Sequence, residues 1–116
     1  MSTIFDKVRK PHDYSPLTIE AARILGAQVR MARRERRWTE AELAERVGVA
    51  RPTIRKVEQG DPTVGLGPAF EAAAVLGVPL FHAEPARRAL EAARIADRLA
   101  VLPERSRRPV TIDNDF

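Results

Sequence analysis

Four residues in the middle of the chain have the types and spacing to do chemistry on a polyanion: Arg51, Thr53, Arg55 and Lys56. A guanidinium is a planar fork of donors that matches phosphate oxygens and guanine edges, and a lysine adds a mobile point charge. The four interleave with Ile54 and Val57, whose three-residue spacing marks an inward helical face, so they fall on the outer face and near the N-terminus of a short helix. Pro52 suits the first turn of that helix, where its missing N–H costs nothing, and Gly60 closes it. Pinned by a neighbour, such a helix can enter a major groove and reach base edges. An ordinary helical hairpin with solvated arginines has the same pattern, and helical spacing alone does not separate the two.

The neighbour that must do the pinning lies just upstream. Thr39 and Glu42 have capping-box spacing, each side chain placed to bond an orphan amide of the first turn, and Trp38 and Leu43 flank the box as a hydrophobic staple does. Leu43, Ala44 and Val47 then line one apolar face. Gly48 ends this helix in the left-handed conformation that glycine takes at little steric cost, and Val49 fills the gap before the second helix.

From Trp38 to Gly60 these signals together resemble the helix-turn-helix of the XRE family, the lambda-repressor and Cro-like regulators. That family places a small residue midway along the first motif helix, a glycine four residues later and an aliphatic residue six after that; here these are Ala44, Gly48 and Ile54. Its closing aliphatic-Glu-x-Gly stands as Val57-Glu58-Gln59-Gly60, and the likeness extends from about Leu25 to Phe81, roughly half the chain. The resemblance implies an all-α fold: a five-helix lambda-repressor-like domain over residues 17–82, followed by a helical extension and a short tail. It also implies DNA contact through Arg51, Pro52, Thr53, Arg55 and Lys56, with Thr39 and Glu40 at the start of the first motif helix. Arg33 matches the family's arginine of the first helix and Glu58 its glutamate after the recognition helix, which implies a structural ion pair between them. Two positions depart from the pattern. Glu40 replaces the glutamine that touches phosphate in relatives; an acid there suits the helix dipole but repels a phosphate. Ala50 replaces the usual serine cap of the recognition helix and offers no side-chain cap.

In chain order, residues 1–16 read as an arm carrying Lys7, Arg9 and Lys10, either a plain flexible terminus or a reach into a minor groove. Leu17 to Arg37 is helical in pattern, with Ser15 and Pro16 as start signals and Leu25, Val29 and Ala32 on one face. Arg30, Arg33, Arg34, Arg36 and Arg37 crowd its end, either as a solvated face that compensates the dipole or, for some of them, as contacts to a DNA backbone. After a loop from Asp61 to Gly67 comes a fourth helix at about Pro68 to Leu76, with Phe70, Ala73, Ala74 and Leu76 as core, ended by Gly77. Val78 to Phe81 is expected to turn into a short fifth helix, Phe81 in the core and His82 structural or exposed. Pro85 to Leu102 is strongly helical, with Ala86, Ala89, Ala93, Ala96 and Ala100 beside Ala92, Ile95, Leu99 and Leu102, an apolar face suited to covering the domain or building a homodimer. The tail, 103–116, carries a β-prone Val110-Thr111-Ile112 and an acidic end closed by Phe116; it is either disordered or a short partner-binding strand, in which case Val110, Ile112 and Phe116 are the residues a partner would capture.

Composition narrows the classes. The chain has 116 residues, 44% hydrophobic, with a net charge of +4 and a pI near 10.3, which admits nucleic acid as a partner. With no cysteine there are no disulfides or thiolate metal sites. No apolar run is long enough for a membrane span and no signal pattern opens the chain, so a cytoplasmic location is expected. No phosphate loop, dinucleotide turn, metal helix or activated nucleophile is evident, so neither an enzyme, a metal nor a cofactor is expected. The function expected is a sequence-specific transcriptional repressor, dimeric on a palindromic operator of double-stranded DNA. The tail, extension and core together resemble HipB-type antitoxins, which implies a HipA-like kinase toxin as partner. The alternative is a protein-interaction module that has kept the fold without specific DNA binding.

Overall fold

A computed structural model describes residues 13–104. Among these residues the secondary structure is helical throughout: α1 (Pro16–Glu35), α2 (Glu40–Val47), α3 (Arg51–Glu58), α4 (Leu66–Leu76) and α5 (Pro85–Val101). The chain divides into two compact units, one ending at Leu80 and one beginning at Phe81. The segments of the N-terminal arm up to residue 12 and of the tail from residue 105, with Val110, Ile112 and Phe116, lie outside the described residues.

Local signals set the helix ends. Ser15 caps α1 through the Thr18 amide, with Pro16 in its first turn. The Thr39 hydroxyl accepts from the Glu42 amide at 3.0 Å while Glu42 accepts from the Thr39 amide at 2.7 Å, a closed capping box for α2. Gly48 ends α2 at φ +88°, a value at which a Cβ is strained, and both the Gly48 and Val49 amides fold back onto the Ala44 carbonyl. That three-residue turn delivers the chain to α3, whose N-cap Ala50 makes no side-chain cap bond.

The core of the first unit comprises Val29, Ala32, Leu43, Ala44, Ile54, Val57, Ala69, Ala72, Ala73 and Leu76. Helix α3 packs against α1, α2 and α4, and α4 packs also against α1 and α2, so the central short helix is held from three sides. Its approach to α1 is close: a Cβ on the buried Gly26 would overlap the carbonyl oxygen of Val57. Beyond the core, Arg46 lies 4.1 Å above the Trp38 ring and Arg36 lies 5.6 Å from it, so two cations flank the indole.

Five local expectations are corrected. Helix α4 begins at Leu66, two residues early, with Gly65 as its N-cap. Ala74 is exposed and Phe70 is half-buried and outside the core, and Ala69 and Ala72 occupy the core instead, because a run of alanines leaves the buried register open to more than one phase. Val78 to Phe81 is not helical; Pro79 withholds a donor and restricts Val78, and Phe81 sits at φ +68°. Phe81 is 88% exposed rather than in the core. The fifth helix is therefore Pro85–Val101, in the second unit. There Arg88 donates to the carbonyls of His82 and Ala83 at 2.6 and 3.0 Å, tying the entry segment to the first turn of α5. No residue of α5 is buried, and Leu90, Ile95, Leu99 and Val101 are among its exposed side chains.

Candidate nucleic-acid interface

Helix α3 buries Ile54, Val57 and Glu58 and turns Arg51, Pro52, Arg55 and Lys56 to the surface, with Thr53 half-buried between them. The eight-residue length gives two turns, so Arg51 and Arg55, four apart, share a face. Thr39 is the N-cap of α2 and Glu40 its first residue, and Glu40 meets that face. The Thr39 oxygen is engaged in the capping box, and its hydroxyl proton remains a donor.

Glu40 does not reach outward. Its Oε1 lies 3.5 Å from Arg51 Nε and 3.3 Å from Arg55 Nη2, one oxygen between two arginines. Partial burial pushes its carboxyl pKa up, but the hydrogen bond and charge of Arg55, with a further bond from Arg51, outweigh that and hold it below the usual carboxylate range. It is ionised at neutral pH. The acid that departs from the family pattern is thus a partner of the arginines.

Behind the face is a buried anchor. Arg33 Nε donates to Glu58 Oε2 at 2.6 Å and Arg33 Nη2 to Oε1 at 2.9 Å, a bidentate pair between α1 and the end of α3. The Glu58 side chain is 0% exposed and that of Arg33 10%. Arg33 Nη1 donates to the Trp38 carbonyl at 2.8 Å, so one guanidinium ties three segments. Its hydrogen bond to Glu58 raises its pKa against the opposing effect of burial, so the Arg33 guanidinium keeps its charge. Arg30 joins from the same helix, with Nε 3.5 Å from Glu58 Oε1 and Nη2 donating to the Glu58 carbonyl at 3.4 Å. Of the arginine cluster ending α1, Arg30 and Arg33 are therefore engaged with Glu58, Arg36 reaches the Ala32 carbonyl and Trp38, and Arg34 and Arg37 are exposed.

Sequence reasoning missed three participants: Arg30 as a second cation for Glu58, Gly26 as the point of closest approach between α1 and α3, and Glu40 as the link between Arg51 and Arg55. The signal for Glu40 was an acid at the start of α2 where the motif brings that start against α3. Among the described residues no cluster of His, Asp or Glu could hold a metal ion, and no helix is long and apolar enough to cross a membrane.

Two short helices joined by a glycine turn, the second held on three sides with a basic outer face, define a helix-turn-helix domain. Residues 29–82 match the model of a family described as Helix-turn-helix. The match supports an XRE-type DNA-binding regulatory domain, a class not typically enzymatic. No curated protein and no solved structure matches the chain.

Proposed function

We propose that the protein is a sequence-specific transcriptional repressor that binds double-stranded DNA as a homodimer, with α3 in the major groove. The observation that carries this reading is the exposed Arg51–Arg55–Lys56 face on a helix whose opposite side is fixed by the buried Arg33–Glu58 pair. A reading helix must be rigid, because a base edge discriminates only when the donor fork arrives in register. Arg51 and Arg55 reach base edges, Lys56 and the Thr39 hydroxyl reach phosphates, and Pro52 and Thr53 present apolar contact to the groove. A dimer would match a palindromic operator, its two half-sites about one helical turn apart. The exposed Ile95, Leu99 and Leu102 of the second unit, at four- and three-residue spacing, support self-association through α5.

The test is an electrophoretic shift with the DNA immediately upstream of the gene, against excess competitor. A discrete complex that resists the competitor and weakens when Arg51 or Arg55 becomes alanine supports the reading. Binding that is blind to sequence and to those residues favours a protein-interaction module, for which Glu40 and the uncapped Ala50 are the supporting features. A narrower form of the proposal, a HipB-type antitoxin, rests on the compact regulator core followed by a helical extension. Co-purification of a HipA-like kinase encoded next to the gene tests it.

A further inference from the structure

In the proposed reading helix, the two arginines placed to meet base edges are already joined by a carboxylate. Glu40 offers a single oxygen to both, 3.5 Å from Arg51 Nε and 3.3 Å from Arg55 Nη2. The Glu40 side chain is 20% exposed, against 58% for Arg51 and 50% for Arg55, so the carboxylate lies beneath and the guanidiniums lie above it. Each arginine carries five N–H donors, and one contact with Glu40 leaves most of each fork to face outward. The acid thus anchors the arginines from behind without capping their outer edges.

We infer that Glu40 is a positioning residue that sets sequence specificity, holding Arg51 and Arg55 as one preorganised unit whose net charge is lower than that of two separate arginines. The inference rests on the DNA-binding reading above. Two physical effects act in the same direction. Sequence-independent affinity grows with the number of phosphates neutralised, so a carboxylate among the arginines weakens binding to DNA in general. Fixing two long side chains before contact removes part of the ordering cost at the correct site, where both forks find base edges. General binding is weakened more than specific binding, and the ratio between them rises.

The experiment uses the full chain and two probes: duplexes that the wild-type protein enriches from a random-sequence pool, and a scrambled duplex of the same length and composition. Dissociation constants are measured across a salt series for the wild type, Glu40→Gln, Arg51→Ala/Arg55→Ala and the triple variant, with melting followed by circular dichroism to verify folding. For Glu40→Gln the scrambled duplex is expected to bind more tightly, with a log–log salt slope steeper by about 0.9, the value for one further phosphate neutralised. The ratio of specific to scrambled affinity is expected to fall by roughly tenfold, the order expected for loss of one well-formed base contact. Adding Glu40→Gln to the double alanine variant is expected to leave the ratio unchanged, since the carboxylate acts through the arginines. A Glu40→Gln protein with an unchanged ratio and slope, or a further change of the ratio in the triple variant, overturns the inference while leaving the DNA-binding reading intact. Failure of the wild type to enrich any sequence overturns both.

Discussion

Glu58 shows how a single residue can fix the orientation of a helix. Its carboxylate is sealed from solvent at the end of α3 and receives Arg33 in bidentate geometry, with Arg30 at its edge. Removing the carboxylate strands a buried guanidinium, and that loss outweighs what the intact pair contributes. Glu58→Ala is expected to lose about 3–5 kcal/mol in urea denaturation, the range for breaking a buried pair by removing one partner. A loss within about 0.5 kcal/mol, typical of an unremarkable surface position, would show that the pair is not structural. The Arg33–Glu58 pairing was legible only through family resemblance, because nothing in residues 25 apart signals contact. Arg30 was not legible: in a cluster of five arginines, spacing alone does not say which face inward.

At the scale of the element, α1 and α3 approach so closely that Gly26 has no room for a methyl group. Gly26→Ala would improve the helix propensity of α1, yet the new Cβ meets backbone that cannot rotate away. Destabilisation of about 1–3 kcal/mol or more is expected from overpacking, read by thermal or urea unfolding; stabilisation would contradict the packing described. The loop after α3 adds an acid-sensitive turn. The Asp61 carboxylate accepts from the Thr63 hydroxyl at 2.6 Å and amide at 2.8 Å, and these bonds hold its pKa below the usual range. Glu40 is shifted in the same direction by its arginines. Both groups therefore bind protons more readily unfolded than folded. Their stabilisation is complete above the ordinary carboxylate range and is lost as pH falls through the lower folded values. Urea midpoints are expected to be level from about pH 7 to pH 5 and to drop below about pH 4, with Asp61→Ala flattening part of the drop. A drop as steep in the variant as in the wild type would assign it to other carboxylates. The capping box, Gly48 and Ser15 were readable because each acts within three or four residues of itself. Ala74 and Phe81 were misjudged because burial in an alanine-rich helix and in a proline-bearing turn depends on distant partners.

For the whole molecule, a net charge of +4 describes the basic face poorly, because charges on that face are partly compensated from within. Composition admits a nucleic-acid partner, and in the reading proposed for α3 the linked Glu40, Arg51 and Arg55 are its contact face. The all-helical architecture was readable from periodicity and glycine punctuation, whereas the extent to which the apolar side of α5 is exposed was not, since a sequence does not say what covers a face. Whether α3 reads DNA is decided by a salt titration of binding to the upstream DNA. For the wild type, log K is expected to fall linearly with log salt by about 0.9 per phosphate neutralised, with a residual preference over competitor that persists at high salt. Arg55→Ala is expected to lose about 1–3 kcal/mol on the specific site, with discrimination relaxed at one base position, while Lys56→Ala weakens all sequences alike and reduces the slope by about one. Equal loss from both variants on every sequence, with no preference left at high salt, would show that α3 does not read bases.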